Sequence, residues 1–216
     1  MKHIVKEHDP VELVEFKVAE NDEWTPEYEA LPGDRKRAIH DTLLVEQGHI
    51  CCYCNRRIRR DSSHIEHWHP QTLPPEQLAL EYGNMLASCQ RELDPGEPLR
   101  CGMKKGDWFD PPRMVSPLDC DCEARFRFTA DGTIRPASDD DIAAGETILR
   151  LGLDLPNLNA SRREAIGAIL DDLDVLSTEE LRTLAQRILV RDEYSLFSEY
   201  CIAVAQVLEG LIPTDD

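Results

Sequence analysis

The sequence has no long hydrophobic run and little that would direct it to a membrane. Within its 216 residues, no apolar stretch approaches the roughly 20 residues that a membrane-spanning helix needs. The opening residues, MKHIVKEHDP, lack the apolar segment of a secretory signal peptide. We therefore expect a cytoplasmic protein with no membrane partner. The hydrophobic fraction of 41% and the charged fraction of 31% are typical of a globular domain.

Positive charge is scarce, and its distribution is uneven. The chain has 24 Lys and Arg against 42 Asp and Glu, a net charge of −18. That balance excludes a general nucleic-acid coating protein. Residues 51–113, however, hold nine basic and nine acidic side chains and are neutral. A polyanion is therefore expected to meet the chain near this segment, or to be brought by a partner.

Cysteine is the residue type that stands out. In a reducing cytoplasm, clustered cysteines indicate a metal site more often than disulfides. Cys51 and Cys54 have the C-x-x-C spacing of a zinc knuckle, and Cys89 with Cys101 is the best second pair. The alternatives are Cys120 with Cys122 as the second pair, and Cys52 within the first. Four thiolates on one Zn²⁺ would make a closed, structural site.

The periodicity predicts an α+β protein in three segments. Residues 1–34 are expected to form an arm that packs on the core. Residues 35–136 are expected to form the core itself, with the cysteine and histidine motifs and a β-hairpin, and residues 137–216 a helical bundle. A helix is predicted from Arg35 to Gln47, and FRFTADGTIRP predicts a β-hairpin with its turn at Asp131-Gly132.

The helical region has three Ser-x-x-Asp/Glu patterns that predict helix starts. They begin at Ser138, Ser161 and Ser177. The second is followed by apolar residues at helical spacing, which predict a surface that faces the core. These are Ile166, Ile169, Leu170, Leu173 and Leu176.

The stretch HIEHWHP contains three histidines and a glutamate. In a strand, His64 and Glu66 would share one face and His67 the other. A carboxylate on a metal ion and an imidazole beside a water molecule are the groups that phosphodiester hydrolysis needs. Asn84 is available to hold the intervening loop, so that the histidine keeps one orientation. His69, next to Pro70, is expected to be peripheral.

The ordered set CYC…IEHWHP…NMLASC…CGMKKGD resembles the HNH endonucleases. The segments LLVEQGHICCYC, VSPLDCDCEARFRFTADGTI and ILRLGLDLPNLNASRR extend the resemblance over nearly the whole chain. They are similar to the HNH component of the Septu anti-phage system and its retron-associated relatives.

The resemblance implies a ββα-metal core beside zinc knuckles formed by Cys51, Cys54, Cys89 and Cys101. It implies that His67 is the general base, Glu66 a ligand of a catalytic Mg²⁺ or Mn²⁺, and Asn84 the middle asparagine. His64 is a further candidate ligand. It also implies an ABC/SMC-like ATPase as partner in bacterial defence, and it leaves open whether the complex contains more than one copy of this chain.

One position departs from the family pattern. Many HNH proteins have His or Asn directly after the last cysteine as a metal ligand, and this chain has Gly102. Lys104 and Lys105 are the candidates to contact phosphate, Lys105 as a catalytic residue, and Asp107 is a candidate ligand.

The basic run before the histidine stretch predicts the contact with nucleic acid. It comprises Arg56, Arg57, Arg59 and Arg60. The competing interpretation is a non-catalytic adaptor, whose zinc module and acidic helical tail dock on a partner protein.

Overall fold

The computed structural model describes residues 1–92, 95–170 and 177–213. It confirms a mixture of helices and small antiparallel sheets, an α+β architecture. The helices are α1 (Val11–Lys17), α2 (Gly33–Glu46), α3 (Cys101–Lys105), α4 (Ile142–Leu151), α5 (Pro156–Leu170), α6 (Thr178–Ile188) and α7 (Cys201–Gly210). The strands are β1 (Ser63–His67), β2 (Met85–Cys89), β3 (Phe126–Phe128) and β4 (Ile134–Pro136).

The predicted entry helix is α2, and it begins two residues earlier than expected, after Pro32. Its buried face, Ile39, Leu43 and Leu44, packs in the main apolar cluster. At its end, the Gln47 side chain bonds the backbone of Ala87 in β2 through both its amide nitrogen and its oxygen. This pair of bonds fixes the knuckle that follows α2 against β2.

Strands β1 and β2 are antiparallel, with Ser63 opposite Cys89 and Glu66 opposite Leu86. Two short 3₁₀ turns, Glu76–Leu80 and Tyr82–Asn84, lie in the connection between them. The short helix α3 then packs on β2, where the Gly102 N–H donates to the Ser88 hydroxyl at 3.1 Å. The order strand, strand, helix therefore brings residues 63–67, 85–89 and 101–105 together.

The predicted hairpin is confirmed as β3 and β4, paired with Phe126 opposite Pro136. The largest fully buried side chain, Arg162 on α5, donates to the carbonyl oxygens of Gly132 and Leu153. Helices α5, α6 and α7 share a second apolar cluster that includes Ile166, Ile188 and Val204. The division of the chain into three segments stays a prediction.

Two of the three predicted helix starts are wrong. Helix α4 is capped by Asp141, which accepts from the Ala144 N–H at 2.9 Å, and not by Ser138. Ser161 lies inside α5, because that helix already begins at Pro156. The third start is confirmed, since Ser177 and Glu180 form a reciprocal capping box. The predicted stripe positions Leu173 and Leu176 lie outside the described residues.

Across the three described ranges, none of the helices combines the length and the apolar character needed to cross a bilayer.

Candidate active site

The four cysteines that the spacing singled out lie together in the interior. Their four Sγ atoms all lie within 4.8 Å of one another. Cys51 and Cys54 come from the knuckle after α2, Cys89 ends β2, and Cys101 begins α3. The knuckle is closed by a backbone hydrogen bond from Cys51 to the Arg56 carbonyl at 2.9 Å. Three separate stretches of chain therefore meet at one cluster.

The geometry and chemistry of this cluster fit a tetrahedral Zn²⁺. Zinc–sulfur bonds of about 2.3 Å place the sulfurs of such a site about 3.8 Å apart. The Sγ atoms of Cys54 and Cys89 are 3.9 Å apart. Burial alone would raise the pKa of Cys51, but hydrogen bonds from neighbouring thiols, Cys101 first, bring it well below its ordinary value. The pKa of Cys101, by contrast, is raised well above its ordinary value by burial and by the neighbouring thiols. Without a metal, Cys51 therefore holds the thiolate form that binds metal, and binding of an ion would release protons from other cysteines of the cluster.

The competing cysteines are placed elsewhere. Cys120 is exposed and Cys122 is buried, and neither belongs to the cluster. Cys52 is buried beside the cluster, and burial raises the pKa of its thiol well above the ordinary value. Cys201 begins α7 and lies in the second apolar cluster.

The Glu66 carboxylate lies between β1 and α3 and is almost fully buried. Its Oε1 atom accepts from the Tyr53 hydroxyl at 3.0 Å and pairs with Lys105 Nζ at 3.0 Å. Its Oε2 atom is 3.5 Å from His64 Nε2. Burial would raise the pKa of Glu66, but the bond to His64 and the charge of Lys105 outweigh it and lower that pKa. Glu66 is therefore ionised although it is buried.

His67 points to the opposite side of β1, as the alternation of a strand requires. Its Nε2 atom is 3.0 Å from the Ala79 carbonyl oxygen, and its Nδ1 atom is 2.8 Å from the Gln71 side-chain amide. A carbonyl can only accept, so Nε2 carries the proton and Nδ1 has the lone pair. Tyr28 contacts the ring edge-on at 4.6 Å between centroids. Burial lowers the pKa of His67 to about 4, so the ring is neutral near pH 7.

Asn84 holds both ends of the loop that carries Ala79. Its oxygen accepts from the His69 N–H at 2.6 Å. Its amide nitrogen donates to the carbonyls of His69 at 3.0 Å and Leu78 at 2.9 Å. Because Leu78 precedes Ala79, these bonds also fix the carbonyl that orients His67. The role of Asn84 in orienting the histidine stays a prediction.

The residues after Cys101 divide between two places. Lys105 is buried, and its ammonium donates to the His67 carbonyl at 2.8 Å as well as pairing with Glu66. Lys104 is exposed and lies over Gly152, the residue that ends α4. Asp107 is also exposed. Among the described residues, only the four cysteines form a group of three or more potential ligands, so the structure does not bring Asp107 into a set with Glu66 and His64.

The four predicted arginines do not form one surface. Arg57 donates to the carbonyls of Gly48, His49 and Phe197, so its guanidinium serves the fold. Arg60 pairs with Asp41. Arg59 and Arg60 line a cavity of about 510 Å³ at the start of β1, together with Arg91. Arg56 lines a different cavity, with Arg100.

Sequence reasoning did not single out Tyr53, Gln71 or Arg91. Tyr53 lies between the two knuckle cysteines and bonds Glu66, whereas Gln71 follows Pro70 and bonds His67. For Tyr53 and Gln71, the indication in the sequence was that each lies next to a recognised motif. Their partners are 13 and 4 residues away along the chain, and only the folded geometry shows which side chains meet.

One curated relative supports a nuclease. The chain is 28% identical, over 141 residues, to the "Retron Vc95 putative HNH endonuclease" of Vibrio cholerae serotype O1 biovar El Tor. The aligned region covers 62% of this chain and 66% of that protein. No protein-family model matches the chain.

Proposed function

We propose that this chain is a metal-dependent HNH endonuclease that hydrolyses phosphodiester bonds of nucleic acid. The observation that carries the proposal is the pairing of a neutral, oriented His67 with an ionised Glu66 on opposite faces of one strand, beside a four-cysteine cluster. The strand, strand, helix order of β1, β2 and α3 agrees with the ββα core that the resemblance implies. The retron relative adds independent support for the same class.

In this proposal, His67 Nδ1 takes a proton from a water molecule, and the water oxygen attacks the phosphorus. The bond from phosphorus to the leaving oxygen breaks, and that oxygen takes a proton from solvent. Gln71 now donates to Nδ1 from the direction in which the water would bind. The water therefore has to replace the Gln71 amide, and a flexible side chain can yield that position.

Glu66, with His64 beside it, is the site for the divalent ion. The carboxylate is ionised and presents Oε2 towards His64, while Tyr53 and Lys105 take Oε1. A divalent ion bound there supplies charge neutralisation for the phosphate as negative charge builds on it. Lys105 is a positioning residue in this scheme, since its ammonium bonds both Glu66 and the backbone of His67.

The nucleic acid is proposed to approach along the start of β1. Arg59 is exposed there, and Arg59, Arg60 and Arg91 line one cavity. Lys104 lies at the far side of α3 and is a weaker candidate. The net charge of −18 leaves most of the surface acidic, so we propose that an ABC/SMC-like ATPase partner supplies the remaining positive surface in a defence complex.

A second candidate is a non-catalytic adaptor built around the zinc site. The observation that favours it is Gly102, because the α3 position closest to Glu66 has no side chain that could bind an ion, and Lys105 already neutralises the carboxylate. The adaptor predicts complex formation without cleavage.

The test compares wild type with His67→Ala and with a matched control, His69→Ala. Plasmid DNA and tRNA are incubated with Mg²⁺ or Mn²⁺, with and without the ATPase. Loss of the general base is expected to slow cleavage on the order of 10²- to 10⁴-fold. Zinc content should stay unchanged, and His69→Ala should cut normally, because His69 packs on Phe109.

Cleavage by His67→Ala at the wild-type rate would show that His67 is not the base. Absence of metal-dependent cleavage by the wild type in every combination would favour the adaptor.

A further inference from the structure

His67 is closed off from solvent in this structure. Only 4% of the residue is exposed, and both ring nitrogens are engaged, Nε2 by the Ala79 carbonyl and Nδ1 by the Gln71 amide. The Tyr28 ring covers a further side of the imidazole, edge-on at 4.6 Å between centroids. A general base has to lie within hydrogen-bonding reach of the water that it deprotonates. The proposed base is therefore in a covered state, and the groups that cover it must move before it can act.

The cover is a short segment ahead of α2, residues 24–31, which we call the strap. Between its two ends, the strap contains neither helix nor strand. At one end, Trp24 packs edge-on against a ring of α1 at 5.4 Å between centroids. At the other end, Leu31 is buried in the main apolar cluster. Tyr28 lies midway between these two anchors and reaches His67.

The strap is attached to the rest of the protein by few bonds. The backbone hydrogen bonds at its turn, both 3.1 Å long, stay within the strap itself. Within the described parts of the chain, no hydrogen bond or ion pair connects residues 25–30 to another segment. Besides its contact with His67, the Tyr28 ring has the Lys36 ammonium 4.4 Å from its centre. Segments with few buried contacts open at the lowest cost, so the strap can lift while β1, β2 and the cysteine cluster stay in place.

The space beside the strap is acidic. A cavity of about 420 Å³ lies between the strap and the turn after Pro75, and Gln71 and Ala79 are among its lining residues. Three other lining side chains are carboxylates, those of Glu27, Glu29 and Glu76, and none of the described residues that line it is basic. A phosphate that entered this cavity would be repelled by their charge. The strap therefore opposes the substrate by its charge as well as by its bulk.

We propose that the strap is an autoinhibitory element, which shields His67 with Tyr28, repels phosphate with Glu27 and Glu29, and has to lift before nucleic acid is cut. The inference rests on the proposed function and adds its regulation. It explains why a base that must meet water is buried with both nitrogens occupied. Once the strap has lifted, water reaches the ring and can replace the Gln71 amide at Nδ1.

The experiment measures access to His67 and cleavage of nucleic acid separately, on the full chain with its zinc site intact. Diethyl pyrocarbonate modifies neutral imidazoles that it can reach, and mass spectrometry of the peptides gives the rate at each histidine. The exposed His8 is the internal standard. Cleavage of plasmid DNA and tRNA with Mg²⁺ or Mn²⁺ is measured on the same samples, with and without the ATPase.

Four variants separate the two actions of the strap. Tyr28→Ala removes the cover, whereas Tyr28→Phe keeps the ring. The double variant Glu27→Gln with Glu29→Gln removes the charge and keeps the cover. Tyr194→Ala is the matched control, because it truncates a tyrosine that is 74% exposed in another part of the chain.

We expect His67 of the wild type to react at least 10-fold more slowly than His8. Tyr28→Ala should raise both the rate at His67 and the rate of cleavage 5-fold or more, whereas Tyr28→Phe and Tyr194→Ala should match the wild type. The double glutamate variant should cut at least 2-fold faster at low salt, with a gain that shrinks as salt screens the charges. Zinc content and the thermal midpoint show whether each variant is folded, and the double glutamate variant decides the question if Tyr28→Ala does not fold.

The outcomes separate the inference from the proposed function. If His67 of the wild type reacts as fast as His8, or if an active wild type cuts as fast as both strap variants, the strap is not autoinhibitory and the nuclease proposal stands. If His67 is uncovered in Tyr28→Ala and neither this variant nor the wild type cuts nucleic acid in any combination, the nuclease proposal fails and the inference fails with it.

Discussion

The cysteine cluster and the Glu66 site share the knuckle and α3, and the first adds β2 where the second adds β1, yet they differ in completeness. The cluster has four ligands of one type, all buried and within 4.8 Å of one another. The Glu66 site has one carboxylate and one imidazole, with a lysine on the second oxygen and a glycine where α3 comes closest. A complete ligand set suits a structural ion, whereas an incomplete one leaves room for water and substrate. In the proposed function, the cysteine cluster stabilises the fold and the adjacent Glu66 site takes part in the chemistry.

The largest effect is expected when the complete site is broken. Cys89→Ser removes a ligand, and metal binding in small zinc modules contributes on the order of 10 kcal/mol to folding. We expect loss of bound zinc and a large drop in the thermal midpoint, measured by metal analysis and circular dichroism. The Glu66 site should be lost too, since Cys101 and Gly102 are adjacent.

Cys120→Ser is the matched control, because Cys120 is exposed and outside the cluster. A Cys89→Ser variant that keeps one zinc per chain and the wild-type midpoint would show that another ligand set holds the metal. Glu66→Gln should leave the zinc content unchanged. That result would show that the Glu66 site depends on the cysteine cluster, whereas the cluster does not depend on Glu66.

The next effect concerns only the incomplete site. Lys105→Met leaves the buried Glu66 carboxylate without its cationic partner, and breaking a buried pair typically costs about 3–5 kcal/mol. The side chains involved are 1% and 8% exposed, so solvent does not screen the pair. Unfolding in denaturant measures the loss.

Lys104→Met is the control from the same helix, and its exposed position predicts a change within about 0.5 kcal/mol. Equal stability of the two variants would mean that the Lys105 pair contributes nothing net. Retention of zinc by Lys105→Met would sharpen the contrast between the two sites.

A smaller effect is expected at Asn84. Asn84→Ala leaves the His69 N–H and the Leu78 carbonyl without their partner, at a cost of about 1–3 kcal/mol for unsatisfied buried groups. Because the same loop carries the Ala79 carbonyl, His67 should also lose its single tautomer. Nitrogen NMR of the His67 ring measures this, with Asn21→Ala, an exposed site, as control. A His67 tautomer that is unchanged in Asn84→Ala would remove Asn84 from the orienting role.

The smallest predicted effect is a pH dependence at the start of β1. His40 is buried with Nε2 3.0 Å from the Ser63 hydroxyl, and burial lowers its pKa to about 4 from an ordinary 6.5. His40 therefore binds a proton more readily in the unfolded chain than in the folded one. The stabilisation that is present above about pH 6.5 is lost as the pH falls towards 4. When the pH is lowered from 7.5 to 5.5, the free energy of unfolding of His40→Gln should fall by about 1 kcal/mol less than that of the wild type. Parallel stability curves would assign the acid sensitivity to other groups.

Several parts of this arrangement were predictable from sequence because they depend on local spacing. The C-x-x-C pair, the alternation that separates Glu66 from His67, and the Asp131-Gly132 turn are all set by neighbouring residues. The capping patterns at Ser138 and Ser161 failed because packing places the helix starts elsewhere, at Asp141 and Pro156.

The contacts of the site were not predictable in the same way. Tyr53 and Lys105 meet on one oxygen of Glu66 only because the knuckle, β1 and α3 converge. Gly102 was recognised as a departure from the pattern, but the reason for a glycine became visible only in its distance to Glu66 and His64. Long-range packing of this kind has no period or motif in the sequence.

Strand β1 is five residues long and carries the proposed metal ligand, Glu66, and the proposed general base, His67, on consecutive positions. One residue inserted or deleted within β1 ahead of them, with the pairing to β2 otherwise kept, would exchange their faces, so that the imidazole would face α3 and the carboxylate the loop. The spacing within the strand from Ser63 to Glu66 therefore matters to the proposed site as much as the identity of the residues, whereas the loop ahead of Ser63 can absorb a change of length. A single codon inserted in the strand would exchange the surroundings of the two side chains without altering either residue.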